Sequence, residues 1–197
     1  MATRDYDPAP LLAGGVEIGL HLELEGRSGE GGGGVRAEPA ERQRAVAAMG
    51  AQLERLAVRL GSPPAYVDGH HHCHAAPGLA AALGRAAAAL GLPMRSVSPR
   101  HRRTLRCLGV ATPDCLVGRI SEREPVLPPA LEPLIAGGEP PPGITEWMVH
   151  PGRADPGAGS SYDAGRAEDL SLLLRLADRD DIRAIRMSHE SVFMKRE

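Results

Sequence analysis

Between a short apolar run, Ala65-Tyr66-Val67, and a stretch with helical spacing lies the sequence Asp68-Gly-His-His-His-Cys-His74. Few folds accommodate that order. Pro63-Pro64 interrupts the chain just before the run, so residues 65–67 read as a buried strand meeting a polar end. Past Pro77, Leu79, Ala80, Leu83 and Ala87 recur at helical spacing up to Gly91. A strand that ends in candidate ligands and turns into a helix is how α/β enzymes present their chemistry, at the carboxyl ends of the strands.

The same grammar runs through the rest of the chain. Val16 to Leu24 alternates apolar and polar and predicts a strand carrying His21; Gly26 to Gly34 predicts a glycine-rich surface loop. No G-K-[ST] follows those glycines, which excludes a P-loop. Ala40 to Leu60 predicts an amphipathic helix with Val46, Met49, Leu53, Leu56 and Leu60 on one stripe. A short strand is expected around Met94 to Val97. Ser98 to Gly143 is proline-rich and reads as irregular, with a short strand at Cys115 to Ile120 and a short helix near Leu131. Ile144 to Val149 reads as another buried strand, ending in His150-Pro-Gly152, and Ala164 to Ala177 as a closing helix. Alternating strands and helices in 197 residues predict an α/β fold with a parallel sheet or barrel, one domain over 1–197.

Composition excludes several functions. The net charge is −2, and one Trp, three Tyr and one Phe offer little stacking surface beside the arginine-rich run 100–106, so nucleic-acid binding is not expected. No apolar run is long enough to span a membrane, and no signal-peptide core precedes the first strand. Three cysteines without framework spacing suit a reducing cytoplasm.

The segment Asp68–His74 holds four of the eight histidines. Imidazole is the commonest metal-ligating side chain near neutral pH. A zinc finger needs paired cysteines and histidines, whereas Cys107 and Cys115 lie far from Cys73 and no C-x-x-C occurs. A compositional His/Cys patch without catalysis is the plainer alternative. If the strand continued to His72, alternation would put Asp68, His70 and His72 on one face and His71 on the other. Cys73 is expected to be a small buried residue.

Three separated segments, Gly19-Leu-His21-Leu22, Asp68-Gly-His70-His-His72-Cys-His74 and Glu146-Trp-Met-Val-His150-Pro-Gly152, follow one order. In that order the chain resembles the YdjC-like carbohydrate deacetylases, a group that includes chitooligosaccharide deacetylases and hopanoid-associated proteins. Gln52 to Gly61, Arg95, Tyr162 and Arg166 add to the resemblance, which runs from the N-terminus to about Phe193. It implies a distorted (β/α) TIM-like barrel and a divalent ion, Mg or Zn, held in part by His21 and His70. Asp68 and His72 are implied as residues that orient the ligand imidazoles. His150 is implied as general acid for the leaving amine or as a hydrogen bond to the oxyanion, against the simpler role of capping its turn. Arg95 is expected to hold a sugar hydroxyl or make a surface ion pair. The implied reaction is hydrolytic removal of N-acetyl groups from acetylated amino sugars, chitooligosaccharides or a glycolipid glycan.

One family feature has no counterpart. Family members carry an Asp-Asp-Phe-Gly strand end that supplies a further metal ligand, whereas Asp5 and Asp7 are the only acidic residues ahead of Glu17 and His21. The chain is therefore expected to begin at the family's second strand, lacking a first strand and helix. An open edge there would favour pairing with a second copy, a homodimer. The competing function is a sugar-binding relative with impaired catalysis.

Overall fold

The computed structural model describes residues 7–25, 36–118, 128–136, 138, 143–153 and 165–177. The glycine-rich segment 26–34 and Tyr162 lie outside them. The chain divides into two compact units, Met1–Thr112 with Ser188–Glu197, and Pro113–Met187.

In the first unit a short helix α1 (Ala9–Ala13) precedes strand β1 (Leu20–Leu22), helix α2 (Pro39–Leu60) and strand β2 (Val67–Gly69). A 3-10 turn (His70–Ala75), helix α3 (Ala80–Ala89) and helix α4 (Pro99–Cys107) follow. β1 and β2 pair in parallel, with Leu20 opposite Val67, His21 opposite Asp68 and Leu22 opposite Gly69. Met94 continues the sheet through a parallel bridge to Val67, and its own N–H reaches the carbonyl of Ala111 at 3.0 Å. The parallel pairing expected from the strand–helix alternation is present, though the first strand is shorter than 16–24. Among the described residues the sheets are two-stranded, β1–β2 and β3–β4, and no closed barrel is seen.

Local chemistry explains the helices. Pro39 sits in the first turn of α2, where its missing N–H costs nothing, and Gly61 ends the helix at φ 69°. Ala45, Met49 and Leu53 bury one stripe at four-residue spacing. They pack with Leu22, Val67, Leu83, Met94 and Leu105 into one core. The region after Ser98, expected to be irregular, instead starts with α4. Ser98 Oγ accepts from the His101 N–H at 3.1 Å, Pro99 opens the helix, and His101 and Leu105 are buried four residues apart. The arginines dilute its apolar stripe almost to nothing, so only the cap marked the helix.

The strand reading of 70–72 is also overturned. β2 stops at Gly69, and His71 and His72 take left-handed backbone, φ 45° and 56°. Period-two alternation therefore ends at Gly69, and the histidines are sorted by a turn. Gly69 makes the turn possible: a Cβ there would lie 2.6 Å from His74 Nδ1 and 2.9 Å from Cys73 Sγ.

The second unit holds strand β3 (Cys115–Gly118), a 3-10 turn (Pro129–Leu131), helix α5 (Glu132–Ile135), strand β4 (Thr145–Met148) and helix α6 (Arg166–Ala177). β3 and β4 are parallel, with Leu116 opposite Glu146.

Gly69→Ala should lower stability by about 1–3 kcal/mol through overpacking against His74 and Cys73. Gly50→Ala, mid-α2 with no atom within 4 Å of the added carbon, should raise it by about 0.5–1 kcal/mol. Urea midpoints of the two variants moving in the same direction would contradict this packing.

Candidate active site

Parallel register places His21 and Asp68 side by side at the carboxyl ends of β1 and β2. His21 Nδ1–H donates to Asp68 Oδ1 at 2.7 Å, and Arg95 donates through an Nη to Asp68 Oδ2 at 2.6 Å. Both carboxylate oxygens are thus engaged. Burial pushes the Asp68 carboxyl up, but the His21 hydrogen bond and the Arg95 charge outweigh it, and the net direction is down. The Asp68 and Arg95 side chains are 10% and 12% exposed. At such burial, removing one partner of an ion pair costs about 3–5 kcal/mol, because the other charge is left uncompensated.

The His70 ring lies 5.5 Å from the His21 ring, centroid to centroid and nearly perpendicular, and 4.1 Å from the His71 ring. All three imidazoles are exposed. His72 and His74 belong to the other side of the turn. Their rings are 6.3 Å apart, and the His74 ring is 5.4 Å from that of His101. His74 is fully buried and donates Nε2–H to the Arg95 carbonyl at 3.0 Å. Burial first, and the neighbouring His101 second, push its pKa down to about 3. Burial and then His72 push His101 down to about 4. Cys73 is buried and donates to the Leu22 carbonyl at 3.3 Å, and desolvation raises its thiol to about 11. A thiol so held is no nucleophile near neutral pH.

The sequence-derived residues therefore divide. His21, His70, Asp68 and Arg95 come together at one strand end. The ring of His72 lies 6.3 Å from that of His74. Arg95 makes a mostly buried ion pair with Asp68 rather than an exposed one. His150 follows β4 in the second unit, where its backbone N–H donates to Asp169 Oδ2 at 2.8 Å. Asp169, 3% exposed in the first turns of α6, was not singled out from sequence; an acid four residues into a helix looks like an ordinary solvated charge. His101 was missed for the same reason, a lone histidine among arginines.

The donor chemistry fits a divalent ion in part. An imidazole whose Nδ1–H is held by a carboxylate presents Nε2 as its ligating atom, the usual arrangement behind metal-binding histidines. Both oxygens of Asp68 are engaged, one by His21 and one by Arg95. Among the described residues no group of three or more His, Cys, Asp or Glu is arranged to hold an ion.

The first unit thus carries a histidine–carboxylate pair at the ends of two parallel strands. The sequence matches the YdjC-like protein family over residues 4–184, and the chain belongs to that family. No curated protein matches it. It is similar in fold to a protein from Enterococcus faecalis V583 with a proposed role in cellobiose-phosphate cleavage. That similarity has a TM-score of 0.67 and 20% identity, over 93% of this chain and 80% of the other. Among the described residues no helix is long and apolar enough to cross a membrane.

The interior histidines set the acid limb of stability. Both have folded pKa values below the ordinary 6.5, so the unfolded chain binds more protons as pH falls below 6.5, and stability is lost toward pH 4. Each such proton contributes about 1.4 kcal/mol per pH unit. Asp68, lowered from 3.8, adds stability above that value that disappears as pH falls through its folded pKa. Urea unfolding from pH 7 to 4 should show uptake of close to two protons. His101→Gln should remove about one, and an unchanged slope would contradict the assignment.

Proposed function

We propose that the protein hydrolyses the N-acetyl group of acetylated amino sugars, using a divalent ion, Mg or Zn, bound in part by His21 and His70. The supporting observation is the His21–Asp68 hydrogen bond at 2.7 Å with the exposed His70 ring 5.5 Å away, on the same strand end. When bound, such an ion supplies an acidified water and polarises the amide carbonyl. Asp68 holds His21 in one tautomer and orientation, and Arg95 keeps Asp68 ionised near neutral pH. His150, at the end of β4, is the proposed proton donor to the departing amine. Closure of the parallel strands into a distorted TIM-like barrel is part of this reading.

A second reading, a sugar-binding relative with impaired catalysis, is favoured by the absence of a three-ligand group among the described residues. The two readings separate in an assay of acetate release from a chitooligosaccharide, with the divalent ion added after chelation. Under the enzyme reading, chelation stops release and Zn or Mg restores it. His70→Ala should abolish release, and Asp68→Asn should lower it about 10–100-fold with weaker metal binding. His72→Ala should be milder than His70→Ala. Sugar binding without acetate release at any metal concentration would establish the binding protein instead.

A further inference from the structure

Along α6 and the residue before it, burial recurs at Gly165, Asp169, Leu172 and Leu176, the spacing of a single helix face. Three of those positions hold residues suited to packing. The fourth holds a carboxylate, Asp169, 3% exposed, while its neighbour Glu168 is exposed. A carboxylate on a buried stripe is disfavoured unless hydrogen bonds answer its charge, and an apolar side chain there would pack without that cost. The hydrolytic scheme gives this buried group no task.

Its partner explains the placement. Strand β4 ends at Met148, and two residues on the His150 backbone N–H donates to Asp169 Oδ2 at 2.8 Å. Pro151 has no N–H, so the next donor along the chain is Gly152, whose N–H reaches the Arg166 carbonyl at 3.2 Å. The segment His150-Pro-Gly152 is thus fastened to α6 twice, once by a side chain and once by the main chain. The carboxylate bond acts at His150 itself, and a carboxylate acceptor makes it roughly twice as strong as a neutral bond. Asp169 is in turn held by its helix, since its N–H donates to the Gly165 carbonyl at 3.0 Å. Negative charge in the first turns of a helix is also favoured by the dipole. The following proline further restricts the His150 backbone, and the direction of its side chain follows from that backbone.

We propose that Asp169 is a positioning residue for His150: its carboxylate anchors the His150 backbone and so fixes where the imidazole stands when it gives its proton to the departing amine. This rests on the deacetylase reading, in which His150 is the proton donor. Proton transfer remains with the imidazole, and Asp169 neither gives nor takes a proton. A misplacement of about 1 Å at a reacting group can cost on the order of 10²-fold in rate, so such an anchor matters without touching substrate.

Acetate release from a chitooligosaccharide by the full chain, with Zn or Mg added, tests the role. Asp169→Leu completes the apolar stripe of α6, so its urea midpoint should not fall below that of the wild type. Its kcat should nevertheless drop about 10–100-fold, with KM within about twofold. Asp169→Asn keeps an acceptor oxygen at the same reach and should restore kcat to within about threefold of wild type. In a His150→Ala background, which retains the backbone N–H, Asp169→Leu should cost less than about twofold further, because no imidazole remains to be positioned. Should Asp169→Leu misfold, Asp169→Ala against Asp169→Asn supplies the same comparison. Wild-type kcat in Asp169→Leu, an Asp169→Asn as slow as Asp169→Leu, or an undiminished loss in the His150→Ala background would overturn the role and leave the deacetylase reading standing. No acetate from the wild type at any metal concentration would overturn that reading and the role with it.

Discussion

Asp68 is the group on which the arrangement of the first unit turns. A carboxylate in a residue only 7% exposed is tolerable only if its charge is answered, and here one oxygen takes the His21 ring and the other the Arg95 guanidinium. Those partners come from different segments, β1 and the stretch after Met94, so one buried charge ties three neighbouring parallel segments at their carboxyl ends. Arg95 extends the connection inward, because its backbone carbonyl accepts from His74. The polar face above the sheet and the histidines beneath the turn are therefore mechanically joined through one residue. Neither can be rearranged without disturbing the other.

The two groups of histidines have opposite physical roles. His21, His70 and His71 are exposed. His74 and His101 are buried, and desolvation holds them neutral well into acid. A buried neutral imidazole fills space and satisfies a carbonyl much as a core side chain does. It also makes acid a denaturant, since a proton can be accepted only by opening the core.

Much of this was legible in the sequence where patterns are long or chemically distinct. The α2 stripe and the parallel pairing of the first two strands follow from periodicity and motif order. Three things were not. The turn at 70–75 was hidden because alternation and helix share the residues Asp68, His70 and His72 at even spacing. Helix α4 was hidden because arginines cover its face and leave only His101 and Leu105 to mark the core. The role of Arg95 was hidden because a lone arginine after a short strand reads the same whether it meets solvent, sugar or a buried carboxylate. Only three-dimensional proximity separates these cases.

The left-handed backbone at His71 and His72 has a consequence for how this loop can vary. It reverses the chain between an outward imidazole at 70 and inward side chains at 73 and 74, so which histidine faces which way is decided by counting residues from Gly69. Exchanging one histidine for another side chain edits a single position. Adding or deleting one residue would shift the count, sending a solvent-facing ring toward the interior and an interior one toward solvent. Within this segment, length is therefore the inherited constraint, and composition is secondary to it.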